Sequence, residues 1–96
     1  MEYLEKIKSN LKILKPELSK KYHVHSIGLF GSVLRKDFTE NSDTDIIVDF
    51  SKPVGIEFID LADFLELTFH RKIDLISKKG IKQNYFAAIE KEIVYV

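Results

Sequence analysis

The stretch that most constrains this chain is Asp43-Thr44-Asp45-Ile46-Ile47-Val48-Asp49-Phe50. It alternates. Asp43, Asp45, Ile47 and Asp49 occupy one set of positions, Thr44, Ile46, Val48 and Phe50 the other. Successive side chains of a strand point to opposite faces, so a strand here has one carboxylate-bearing face and one apolar face. The pattern therefore demands a sheet whose apolar side is covered and whose acidic side stays reachable.

The cover is legible as helices. Leu4, Ile7, Leu11 and Leu14 recur at helical spacing with lysines opposite. Pro16 should interrupt that helix, with Glu17 to Tyr22 continuing as a second turn. Ile56 to Phe69 reads as a long helix that is apolar on more than one side. Phe58, Leu61 and Leu65 lie on one stripe and Ile59, Ala62 and Phe69 on another. Val24 to Phe30 reads as a strand closed by Gly31-Ser32, Val33 to Lys36 as a short helix, and Asp37 to Ser42 as loop. Ser51-Lys52-Pro53 is a turn, Lys72 to Ser77 a short strand, Asn84 to Glu90 a helix, and Ile93 to Val96 an apolar tail. This order predicts an α/β (α+β) fold, a small mixed β-sheet flanked by helices, with residues 1–96 forming one domain.

Composition narrows the function classes. The chain is 45% hydrophobic and 31% charged, has no cysteine, and carries zero net charge. Balanced charge disfavours a dedicated nucleic-acid binder. Absence of cysteine and of an uncharged leader suits the cytoplasm, and no run is long enough to span a bilayer. The charges are segregated. Asp37 to Glu66 holds nine acids against Lys52 alone, whereas Arg71 to Lys82 is basic except for Asp74. An acidic centre flanked by basic segments suits a cation site that must also meet a phosphate.

Asp43 and Asp45, two apart on a strand, have Cβ atoms about 6.5–7 Å apart, close enough to share a hard cation. A two-metal site needs more carboxylate than one pair supplies. Asp74, flanked by Ile73 and Leu75, provides it if its strand lies beside Asp43–Phe50. Asp49 is read as a solvent-facing strand acid. Gly31-Ser32 ahead of a helical turn offers backbone N–H groups to an anion, and Arg35, one turn on, offers a forked cation. Only ten residues separate Ser32 from Asp43. His23 and His25 are set aside as surface residues, and His70 is read as a helix end. The aromatics Phe58, Phe64, Phe69, Tyr85 and Phe86 are assigned to the core.

Taken together, Gly31-Ser32, Arg35, Ser42-Asp43-Thr44-Asp45 and the isolated Asp74 resemble the nucleotidyltransferase superfamily that includes DNA polymerase beta. Within it, the chain is similar to the minimal nucleotidyltransferases, antitoxin partners of HEPN-domain toxins. The resemblance implies metal-dependent transfer of a nucleoside monophosphate from ATP, with two Mg²⁺ ions. It implies metal ligation and catalysis by Asp43, Asp45 and Asp74, and nucleotide binding by Gly31, Ser32 and Arg35. It also implies a HEPN toxin as partner, with a toxin tyrosine as acceptor. Lys36 departs from the glycine common in similar sequences. The rival expectation is a non-catalytic module that neutralises a toxin by binding. Homo-oligomerisation stays open, as does a partner for the excess apolar surface of the helix Ile56–Phe69.

Overall fold

The computed structural model describes residues 2–39 and 41–96; Met1, Glu40 and the side chain of Glu2 lie outside that set, as does part of the expected loop Asp37–Ser42. The chain runs α1 (Glu2–Tyr22), β1 (Val24–Phe30), a 3-10 turn (Gly31–Leu34), β2 (Thr44–Phe50), α2 (Ile56–Phe69), β3 (Ile73–Ser77), α3 (Gln83–Ile89) and β4 (Val94–Tyr95). The four strands form one mixed sheet in the order β3-β2-β1-β4. β1 is antiparallel to β2 and β4, and β2 is parallel to β3. The expected mixed sheet flanked by helices is what forms.

Side-chain alternation assigns the two faces. Ile46, Val48 and Phe50 of β2, with Ile27 and Leu29 of β1, pack against Ile7, Leu11 and Leu18 of α1 and Leu61 and Leu65 of α2. The other face carries Phe30 and Ile47, covered at one end by Ile89 of α3, with Phe86 and Ile93 beside it. Both faces of β2 are thus partly covered, which a run with three aspartates on one face does not announce.

Pro16 does not break the first helix. α1 continues through it to Tyr22, because Leu18 beyond the proline is fully buried. Proline removes one backbone donor and crowds the preceding turn. Here burial of the following turn outweighs that cost. The helix ends at His23, which takes a left-handed conformation at φ 60° and donates its N–H to the Ser19 carbonyl at 3.1 Å. His23 is therefore the single reversal between α1 and β1. At the start of α2 the Glu57 carboxylate accepts the Gly55 N–H at 3.0 Å. This bond and one from the N–H of Glu57 itself, which contributes most, hold the Glu57 carboxyl below the usual range. α2 ends, as expected, at His70, which is left-handed at φ 53°.

The expected short helix at Val33–Lys36 is instead a 3-10 turn beginning at Gly31, directly off the strand. The α3 boundaries move by one residue, and the apolar tail pairs with β1 as an edge strand. Gly28 makes that tail possible. A Cβ at Gly28 would lie 2.6 Å from Cγ2 of Ile93, so only a residue without one lets the C-terminal segment cross β1. Lys15 then ties this segment to α1, donating to the Val96 carbonyl at 2.8 Å.

Candidate active site

The acids meet through strand register. Asp45 of β2 lies opposite Asp74 of β3 in the parallel ladder and opposite Phe30 of β1 in the antiparallel one. Both aspartates therefore point from the face that α1 and α2 do not cover. Asp45 is half-buried, whereas Asp74 and Asp43 are exposed. Burial pushes the Asp45 carboxyl above the usual carboxylate range, and the negative charge of Asp74 adds to that. An N–H from Ser32 opposes the shift, and Asp43 contributes least. Asp45 is thus the carboxylate most in need of a counter-charge.

The glycine-serine turn is built around Asp45. Gly31 is left-handed at φ 73°, and a Cβ there would run into Oδ2 of Asp45. Two requirements select glycine at once: a positive φ and room for a carboxylate. Ser32 turns its hydroxyl to the Asp43 carbonyl, donating at 3.0 Å, while its own carbonyl accepts the Arg35 N–H at 3.0 Å. Ser32 therefore ties Asp43 and Asp45 together by hydrogen bonds, and Gly31 leaves the room for Asp45. The exposed Arg35 stands beside it, lining a cavity of about 290 Å³ with Gly31, Leu34 and Glu92.

The loop that returns to β2 is pinned from behind. Thr44, between the two acids, is fully buried; its hydroxyl shares a hydrogen bond of 3.0 Å with Tyr3, and its N–H donates to the Lys72 carbonyl at 3.0 Å. Arg71 stacks 4.1 Å from the Tyr3 ring centre and 4.8 Å from that of Phe38, and donates to the Thr39 carbonyl at 3.0 Å. Tyr3, Arg71 and Phe38 escape a motif search because they come from three separate segments. The one local signal is Thr44, a polar residue at an inward-facing position of an apolar alternation.

Among the described residues no three His, Asp or Glu side chains are gathered closely enough to hold a metal ion by themselves. The structure brings Asp45 and Asp74 together and leaves Asp43 one step away at the strand's entrance. The donor set fits a divalent cation nonetheless. Its donors are carboxylate oxygens, and two of them repel each other beside a turn shaped to receive one. A hard cation such as Mg²⁺ takes one or two protein carboxylates and completes its shell with water or phosphate.

Other assignments change. Asp49 is not simply solvent-facing: its Oδ1 is shut off from solvent with no hydrogen-bond partner, beside a cavity of about 330 Å³ that Lys78 and Lys79 also line. Tyr85 is exposed rather than core, whereas Phe58, Phe64 and Phe69 pack at the rim of the main cluster and Phe86 at the second. His23 lies 4.0 Å from Glu57, and His25 is exposed on β1. No helix among the described residues is long and apolar enough to cross a membrane.

Comparison with known proteins places the fold. The family model of the nucleotidyltransferase domain matches residues 11–96. The protein adenylyltransferase MntA of Thermococcus cleftensis is 39% identical over 94 residues, spanning 97% of this chain and 95% of the relative. A solved structure provisionally named a minimal nucleotidyltransferase superposes with a TM-score of 0.80 at 23% identity, covering 95% of this chain and 93% of that one. A toxin-antitoxin crystal structure with AMP-PNP superposes with a TM-score of 0.70 at 21% identity, covering 84% of this chain and 68% of that one. At such identities the two structures speak for the fold alone; the family model and the MntA similarity carry the rest. With its acids aligned by register beside a glycine-serine turn, this chain is an enzyme that belongs to the nucleotidyltransferase domain family.

Proposed function

We propose that this chain transfers AMP from ATP to a tyrosine hydroxyl of a partner HEPN-family toxin and so acts as its antitoxin. The observation that carries the reading is the register match of Asp45 with Asp74 beside a turn that only glycine can form next to the Asp45 carboxylate. Relatives support the direction: the similar Thermococcus cleftensis protein is named a protein adenylyltransferase, and a structural neighbour is a toxin-antitoxin complex with AMP-PNP.

In this reading Asp43, Asp45 and Asp74 hold the divalent metal, two Mg²⁺ ions being the expected complement. Bound there, the metal would neutralise triphosphate charge and lower the pKa of the acceptor hydroxyl. The chain's own groups do the rest. The acceptor oxygen bonds to the α-phosphorus as the bond to the pyrophosphate oxygen breaks, and Asp74, exposed at the edge of the pair, accepts the hydroxyl proton. Negative charge grows on pyrophosphate. Arg35 and the N–H groups of the Gly31–Leu34 turn face that charge, and Ser32 exchanges its Asp43 carbonyl for a phosphate oxygen. The acids lie on an accessible face of the sheet, and in this reading the toxin completes the cleft.

The test is mass spectrometry of the purified toxin after incubation with this protein, ATP and Mg²⁺. The proposal predicts a tyrosine peptide heavier by one or more AMP groups, and no such peptide with Asp45→Asn. Neutralisation of the toxin without any mass change would support the non-catalytic module instead.

A further inference from the structure

The helix layer turns an ordered surface away from the sheet. On α2, Leu61 and Leu65 face the core. Half a turn round, Ile56, Ile59, Asp60, Asp63 and Leu67 fall at helical spacing along the outer side. Ile56 is 65% exposed, Ile59 56% and Leu67 75%, an unusual concentration of apolar area on one solvent-facing stripe. This helix carries four acids and no base. The outer side of α1 offers two cations: Ile13 is 76% exposed between the exposed Lys6 and Lys20, one and the same stripe at spacings of seven residues, with the exposed Glu17 at its margin.

The two stripes lie side by side on one molecule and complement each other in charge while sharing exposed isoleucine or leucine. We infer that the outer face of α1 and α2 is a self-association surface, and that its occupant is a second copy of this chain. A two-fold axis parallel to the helices lays α1 of each copy over α2 of the other. Lys6 and Lys20 then meet Asp60 and Asp63, twice per dimer, and Ile13 enters the apolar row Ile56, Ile59 and Leu67. A helix of 21 residues is about 32 Å long, and two helices side by side span about 20 Å. Pairing would bury on the order of 1,200 Å² in total, at the lower edge of specific interfaces. A weak, salt-sensitive dimer follows. The active-site face lies on the opposite side of the sheet and stays free in the dimer.

Sedimentation velocity from low micromolar to sub-millimolar concentration tests this on the whole chain. A concentration-dependent dimer that weakens several-fold in high salt is expected. Ile13→Glu should raise the dissociation constant by about tenfold or more, because a charge then enters the apolar row. Two charge-reversed variants make the test specific: Asp60→Lys with Asp63→Lys in one chain, Lys6→Glu with Lys20→Glu in the other. Each alone should be monomeric with an unchanged circular dichroism spectrum, and mixing them should restore the dimer. A wild-type chain that stays monomeric throughout, or a dimer indifferent to all these changes, overturns the inference. So does a monomer whose variants instead lose binding to the toxin, which would assign the face to the toxin.

Discussion

Gly31→Ala separates the chemistry of the site from the stability of the fold. Alanine at φ 73° costs roughly 1–2 kcal/mol. About half of that is returned, because alanine has less freedom than glycine in the unfolded chain. The net loss should be about 1 kcal/mol, a fall in Tm of roughly 4–8 °C for a domain of this size. The functional effect should be far larger. The new methyl occupies the place of Oδ2 of Asp45, and the cheapest relief is rotation of that carboxylate away from Asp74 and from the Ser32 N–H. Displacing a reacting or ligating group by about 1 Å costs on the order of a hundredfold in rate. Thermal melting and transfer of labelled nucleotide, on the same preparation, measure the two effects. Transfer within a few-fold of wild type in a folded variant would refute the idea that the turn exists to seat Asp45. A Tm loss far beyond this range would show the turn to be chiefly structural.

Other changes probe the supports of the site. Asp45→Asn should be slightly more stable than wild type at neutral pH, since ionising the half-buried carboxylate beside Asp74 opposes folding and solvent screens only part of that cost. Its pKa is raised in the folded state, so wild-type stability declines as pH climbs from the ordinary aspartate range through that raised value; the advantage of the variant in urea unfolding should vanish in acid. Tyr3→Phe leaves the buried Thr44 hydroxyl without its partner, and urea unfolding should show a loss of about 1–2 kcal/mol. Pro16→Ala restores a donor inside α1 and should raise stability by about 1–2 kcal/mol in the same assay, with transfer unchanged. Gly28→Ala pushes Ile93 and the C-terminal segment off β1 at a cost of about 1–3 kcal/mol, visible as faster hydrogen exchange at the Val96 amide.

Much of this was legible before the structure, and the exceptions share a cause. β1 and α2 coincide with the stretches Val24–Phe30 and Ile56–Phe69 because each is bounded by strong local signals: Gly31 after one strand, Pro53 and Gly55 before the helix. Pro16 misleads because its local penalty is outweighed by burial of Leu18, and burial is decided by the sheet, not by the neighbouring residues. The site divides in the same way. Alternation placed Asp43 and Asp45 on one face; the pairing of Asp45 with Asp74 depends on a parallel register across a helical crossover, which no local pattern encodes. The role of Gly31 changed most. Sequence reasoning gave it to a phosphate, whereas its missing Cβ first makes room for Asp45. Asp49 illustrates the converse, an acid whose alternation suggests solvent but whose Oδ1 is shut off from it.

The central claim is that Asp45 and Asp74, joined across the β2–β3 ladder, act as one unit in nucleotide transfer. The direct measurement is the initial rate of label transfer from ATP for Asp45→Asn, Asp74→Asn and the double variant, each shown to be folded. Groups that work together lose nearly everything on the first removal, so each single change should cost about a thousandfold or more and the double change little further. Independent, multiplying losses, or an active Asp74→Asn protein, would contradict the account.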